Sequence, residues 1–189
     1  MAFDPTVLPP DLPVPADDGA ARHLPGLRMP DIALASTAGG EVNLSLVPGL
    51  AVVYCYPRTG RPGEDMPAGW DAIPGARGCT PESCGFRDHN EELGRLGAKV
   101  FGLSTQEPAY QRELVERLRL PFQVLSDQDL AVTKQLGLPT FEIAGMTLIK
   151  RLSLVLRDGL IDHVFYPVFP PDRHAEEVLA WLASSVKPS

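Results

Sequence analysis

The chain is short of the features that most often place a sequence. Its 189 residues include only 3 cysteines and 4 histidines, and no C-x-x-C spacing occurs. Three is an odd count, so the cysteines do not form a disulfide framework, and a reducing compartment would keep a purely structural bridge open. Any cysteine chemistry is therefore expected to be catalytic. No run of about 18 apolar residues is present, and the start, MAFDPTVLPPDLPVP, lacks the basic end and apolar centre of a secretory signal. A cytoplasmic location is the expectation. Lysine and arginine never cluster, and the formal net charge is -7, which argues against a nucleic-acid or anionic-membrane partner. A small neutral substrate or another protein fits better. No internal repeat is visible.

What is present reads as one α/β domain, since 44% hydrophobic content over this length fills one core and is too little for two ordinary domains. Residues 1–28 are rich in Pro, Asp and Ala and read as an extended arm that either wraps the domain or stays mobile. The domain itself is expected over 29–187. MPDIALAST and GGEVNLSLV form a hairpin pattern, and LAVVYCYP, Leu50 to Pro57, is a continuous apolar run suited to a strand buried on both faces. Residues 58–78, rich in Gly and Pro and without period, predict a long loop. Thr80 as cap and Pro81 at the first position predict a helix to about Leu96. AKVFGLST (strand), PAYQRELVERLRL (helix), FQVLSD (strand) and DLAVTKQLG (helix closed by Gly137) follow. MTLIKRLSLVLRDG and LIDHVFYPV read as two β-rich runs joined at Arg157-Asp158-Gly159, before a last helix from Asp172 to about Ser185. This alternation predicts a central mixed sheet with helices on both faces.

Two of the three cysteines, Cys79 and Cys84, fall five residues apart where that first long helix begins. A thiol attacks only once ionised, and the unpaired N–H groups of a helix N-terminus favour the thiolate. In an intact helix the two Cα atoms lie roughly 8 Å apart, beyond the ~4.4–6.8 Å that a disulfide spans. They can bond only if the first turn unwinds, the geometry of a switch between an attacking and a resolving thiol. The targets open to such a thiolate are a disulfide, a peroxide O–O bond or an acyl carbon. C-x-x-x-x-C is not zinc spacing, and no histidine stands in an evident base position. Two core cysteines that happen to share a helix satisfy the same spacing. Cys55, alternating with apolar neighbours in the buried run, reads as core.

GCTPESCGFRD, from Gly78 to Asp88, resembles the G-C-T-x-E-x-C-x-F-R-D signature of the Q-type peroxiredoxins, also called bacterioferritin comigratory proteins. VVYCYP, VFGLST and LPFQVLSDQDLAVTKQLG extend the resemblance over about Val52 to Trp181, the long loop excepted. It implies a thioredoxin-like fold and a thiol-dependent peroxidase that reduces hydrogen peroxide or organic hydroperoxides, with electrons from thioredoxin or a similar dithiol donor and without metal, haem or flavin. It further implies that Cys79 is the peroxidatic cysteine and Cys84 the resolving one, and that the chain works as a monomer. The family's active-site arginine, in a pattern resembling R-x-[ST]-x-x-I, is best matched by Arg151 in RLSLVL, with Lys150 the weaker candidate.

One departure stands out. The family pattern P-x-x-x-[ST]-x-x-C would put a hydroxyl at position 76, which is Ala76, and Pro57 stands 22 residues before Cys79, so about fifteen residues have been inserted. Thr59 or backbone donors are then the candidates to orient the peroxide, with Pro57 shielding the site. The inserted loop carries Glu64, Asp65, Met66 and Trp70, a lid or an ornament; Glu82, on the first helical turn, can pair with an active-site arginine or simply complement the helix dipole. A thiol–disulfide oxidoreductase and a non-enzymatic redox sensor are the rival functions, and the missing C-x-x-C weighs against the first.

Overall fold

The computed structural model describes residues 4–185; the first three residues of the arm and residues 186–187 of the expected domain lie outside them. Nine strands and five helices follow one another: β1 (Ala33–Ser36), β2 (Glu41–Asn43), β3 (Leu50–Cys55), α1 (Cys79–Asp88), α2 (Asn90–Arg95), β4 (Ala98–Ser104), α3 (Pro108–Leu118), β5 (Gln123–Ser126), α4 (Ala131–Leu136), β6 (Thr140–Ile143), β7 (Met146–Ile149), β8 (Leu152–Arg157), β9 (Leu160–Phe165) and α5 (His174–Ser185). Seven strands form one mixed sheet in the order β2-β1-β5-β4-β3-β8-β9. β3, β4 and β5 run parallel, whereas β8 pairs antiparallel with β3, and β9 with β8.

β3 is central because all six of its residues are buried, as a strand covered on both faces requires. Val52 and Tyr54 face a core closed by Phe86 of α1, Leu93 of α2, Leu114 of α3 and Val178 and Leu182 of α5. Ala51, Val53 and Cys55 face the opposite core, closed by Val132 and Leu136 of α4 and by Ala21 and Leu24 of the arm. Helices thus lie on both faces, although the second face owes much of its cover to the arm. That arm is docked: Leu24 is fully buried, His23 Nε2 lies 2.8 Å from the Leu136 carbonyl, and Asp18 meets Lys150 Nζ and the Tyr166 hydroxyl, each at 2.7 Å.

Three boundaries differ from the sequence expectation. The helix expected from Pro81 to Leu96 is two helices, because His89 leaves helical geometry (φ −99°, ψ 6°) and its ring turns to Glu92 instead. Its start is also earlier: Gly78, at φ 105°, is the cap, not Thr80. Pro81 then stands in the third helical position, where its missing N–H is still one that no intrahelical carbonyl would accept from. Finally, MTLIKRLSLVLRDG is not one run. β7 pairs with β6 in a separate two-stranded ribbon, and β8 begins only after Lys150 and Arg151 have crossed to the main sheet. β6 escaped the sequence reading because its turn is Ala144-Gly145, both at positive φ, rather than the familiar Asn-Gly.

Candidate active site

That crossing places the arginine. Arg151 leaves the end of β7 and turns inward, so that its side chain is buried rather than displayed on a strand. All three nitrogens of its guanidinium fork donate: Nε to the Gly75 carbonyl at 3.2 Å, Nη2 to the carbonyls of Ala76 at 3.1 Å and Arg77 at 3.2 Å, and Nη1 to Glu82. Nη2 also lies 3.1 Å from Cys79 Sγ. Lys150, by contrast, points to Asp18 at the surface.

Cys79 is the first residue of α1 and only 2% exposed. It sits nearer the positive end of the helix than the expected cap implied. Burial pushes its thiol above the ordinary range; the Arg151 guanidinium pulls it back, Glu82 reinforces the rise, and the Arg58 amide, hydrogen-bonded to the sulfur, assists Arg151. Sγ donates to the Ala76 carbonyl at 3.5 Å. Burial likewise raises the Glu82 carboxyl while Arg151 opposes it. Glu82 therefore neutralises part of the charge that Arg151 offers the sulfur.

Gly78 is obligatory for this start. A Cβ there would collide with the Pro171 ring, approach Leu8 Cδ2 to 2.9 Å and force a side chain into a conformation natural to glycine. Thr59 is buried, lines the same small cavity as Cys79, and is held by Gln106: its amide and its hydroxyl both donate to Gln106 Oε1, at 2.9 and 3.0 Å. Pro57 is buried just beyond β3. The inserted loop folds into a 3-10 turn, Trp70–Ala72, and buries Trp70 and Ala76 against Leu148 of β7 and Phe141 of β6. The ribbon therefore exists, in packing terms, to seat the insertion.

Cys84 is half-buried on the same helix, and all three cysteines are free. Burial raises its thiol, with Arg87 and then Asp88 and Arg117 as lesser influences. Cys55 is fully buried, and burial pushes it far up. No cluster of metal-ligating side chains occurs among the described residues. A cavity of about 510 Å³, lined by Lys99 and Phe122 among others, touches neither Cys79 nor Cys84.

A buried cysteine at a helix start, faced by an arginine and backbone donors, can hold negative charge on sulfur and on an oxygen beside it. The chain is similar to known proteins in sequence and in fold. The Redoxin family profile matches residues 24–179, and peroxiredoxin Bcp of Escherichia coli strain K12 is 35% identical over 158 residues, spanning 81% of this chain and 91% of that protein. The chain belongs to the peroxiredoxins, in their Q/Bcp branch. Chloroplastic peroxiredoxin Q of rice (japonica) is 33% identical over 161 residues, 84% of this chain but 66% of the rice protein, so this peroxiredoxin spans just under two thirds of that relative's length. The crystal structure of peroxidoxin BcpB from Mycobacterium tuberculosis superposes with a TM-score of 0.68 at 28% identity, covering 86% of this chain and 98% of that one. Xanthomonas campestris peroxiredoxin Q, at 22% identity and a TM-score of 0.66, shares the fold. The thioredoxin-like architecture expected from the sequence is thus the architecture found.

Arg151 contacts Cys79, Thr59 lines the same recess as Cys79, and Glu82 joins through Arg151, whereas Pro57 is buried beyond β3 and does not line that recess. Three contributors were not foreseen. Gln106, which fixes Thr59, lies in a loop after β4 with nothing local to mark it. Thr80 was read as a cap, yet the residue lines the Cys79 recess and its buried hydroxyl has no hydrogen-bond partner among the described residues. The Arg58 amide is backbone, which side-chain patterns do not report.

Proposed function

We propose that this chain is a thiol-dependent peroxidase that reduces hydrogen peroxide and organic hydroperoxides at Cys79. The observation that carries the reading is the Arg151 Nη2 to Cys79 Sγ contact of 3.1 Å, with Cys79 itself lining a narrow, half-open recess of about 10 Å³, room for about one water-sized group. A site that small favours a peroxide over a protein disulfide as first oxidant.

The Cys79 thiolate attacks the near oxygen of ROOH. The S–O bond forms as the O–O bond breaks, leaving Cys79 as sulfenic acid, and the departing RO⁻ takes a proton to become water or alcohol. Arg151 and the N–H groups at the start of α1 stabilise the charge that moves from sulfur to the leaving oxygen. Thr59 donates its own proton to Gln106, so its oxygen lone pairs are free to accept the peroxide O–H; the unpartnered Thr80 hydroxyl can donate to the far oxygen. Pro57 keeps bulk water from the sulfenic acid.

α1 is helical throughout in this state, with Glu82 N–H on the Gly78 carbonyl at 3.0 Å, so its first turn unwinds before Cys84 can reach the oxidised sulfur. The Cys84 thiolate then displaces water, and the resulting Cys79–Cys84 disulfide is reduced by two electrons from a thioredoxin-type dithiol. An intramolecular pair requires no second copy, so the chain acts as a monomer; a dithiol donor implies a reducing compartment, the cytoplasm. Neither a metal nor an organic cofactor enters the scheme, and neither nucleic acid nor membrane is a partner of an acidic chain such as this.

Cys84→Ser is expected to undergo one round of oxidation at the normal rate and then stop, because thioredoxin has no disulfide to reduce. A coupled assay with thioredoxin and its reductase tests this: sustained turnover by Cys84→Ser above a few per cent of the parent would remove Cys84 from the scheme.

A further inference from the structure

The half-open recess beside Cys79 is bordered by a part of the chain that no catalytic step uses. Its wall includes Pro5, from the arm, together with Thr59 and Thr80. The arm is held there by a specific grip. Asp4 to Val7 form a turn, in which Asp4 Oδ1 accepts from the Thr6 amide at 2.9 Å and from the Thr6 hydroxyl at 2.6 Å. That turn presents two carbonyls to one side, and Arg77 Nη2 takes both, Asp4 O at 2.9 Å and Val7 O at 3.0 Å.

One residue on, Leu8 packs over Gly78, so the arm lies directly on the two residues that precede Cys79. The Arg77 carbonyl in turn accepts from Arg151. The stretch is proline-rich, which lowers the entropy lost when an extended segment is held against a surface.

We propose that Pro5–Leu8 is the specificity-determining partial cover of the peroxide site, narrowing its mouth so that hydrogen peroxide and small hydroperoxides react faster than bulky ones until the turn lets go of Arg77. The inference rests on Cys79 being the peroxide-reducing sulfur. The recess is about 10 Å³ and half open, so an aromatic or long alkyl group would have to lie outside it, against its rim, whereas hydrogen peroxide exceeds one water by a single oxygen. Trp70 and Met66 of the inserted loop also line the recess, so the arm and the insertion both border the site. The segment lies before the domain in sequence and makes its contacts through backbone carbonyls, which hides its role from motif reading.

The test uses the full-length protein with Pro5→Gly and Leu8→Ala combined, and separately Asp4→Ala with Thr6→Ala, which undoes the turn but keeps Pro5 and Leu8. Trp70 lines the cavity, so its fluorescence reports single-turnover oxidation by hydrogen peroxide and by cumene hydroperoxide without any reductant. In both variants the rate ratio of cumene hydroperoxide to hydrogen peroxide is expected to rise about tenfold, the scale on which a pocket wall discriminates. A ratio within about twofold of the parent in both, with unchanged thermal melting, overturns the cover. A parent protein oxidised by neither peroxide would instead overturn the function on which the cover rests.

Discussion

Arg151→Leu is expected to slow oxidation of Cys79 by hydrogen peroxide by about two to three orders of magnitude, the usual cost of removing one preorganised donor from a charge-developing transition state. Three effects add. The donor 3.1 Å from sulfur disappears; the cation that opposes burial at the thiol is lost, with Glu82 still raising it; and the carbonyls of residues 75–77 lose their common anchor. The sign for pH follows. Burial already raises the thiol, and Arg151 is the largest influence in the other direction, so its loss moves the rate–pH profile further toward alkaline pH. Stopped-flow rates across pH should therefore show both a lower plateau and a later rise. Because the variant strands Glu82 as an unpaired buried carboxylate, it also loses stability, about 3–5 kcal/mol for a broken buried pair. Arg151→Met combined with Glu82→Gln removes that problem while keeping the slow oxidation; a double variant that reacts at the parent rate would show that Arg151 is structural.

Cys79→Ser is expected to abolish peroxide turnover altogether. A serine hydroxyl at this position has no accessible anionic form near neutral pH and no base beside it, and the two remaining thiols are poor substitutes. Cys55 is fully buried and its thiol is pushed far up by burial, whereas Cys84 has no contact with Arg151 among its polar influences. The coupled thioredoxin assay should read background, with melting unchanged because serine fits the space of the thiol. Undiminished peroxidase rate in Cys79→Ser would refute the assignment of the attacking sulfur.

The legible and the illegible parts of this protein separate along physical lines. β3 was readable because six consecutive buried residues leave an unbroken apolar run, and Cys79 and Cys84 because their spacing on a helix is itself a chemical statement. Arg151 was readable only as a match to a pattern; that it leaves a strand and turns inward depends on the β6–β7 ribbon, which the Ala144-Gly145 turn concealed. Thr59 was placed by its nearness to Pro57, but Gln106, 47 residues away in sequence, is what fixes it. The arm is the clearest case: Pro-rich composition suggested extension, while its docking is made through backbone carbonyls of Asp4 and Val7 on Arg77, and carbonyls carry no residue signature.

In the proposed cycle Cys79 takes the oxidation and Cys84 resolves it. Treating the reduced full-length protein with one equivalent of hydrogen peroxide, alkylating the remaining thiols and mapping peptides by mass spectrometry tests it directly. A Cys79–Cys84 disulfide with Cys55 alkylated is the expected result. A bridge or stable oxidation at Cys55, or three fully alkylated cysteines, would contradict it.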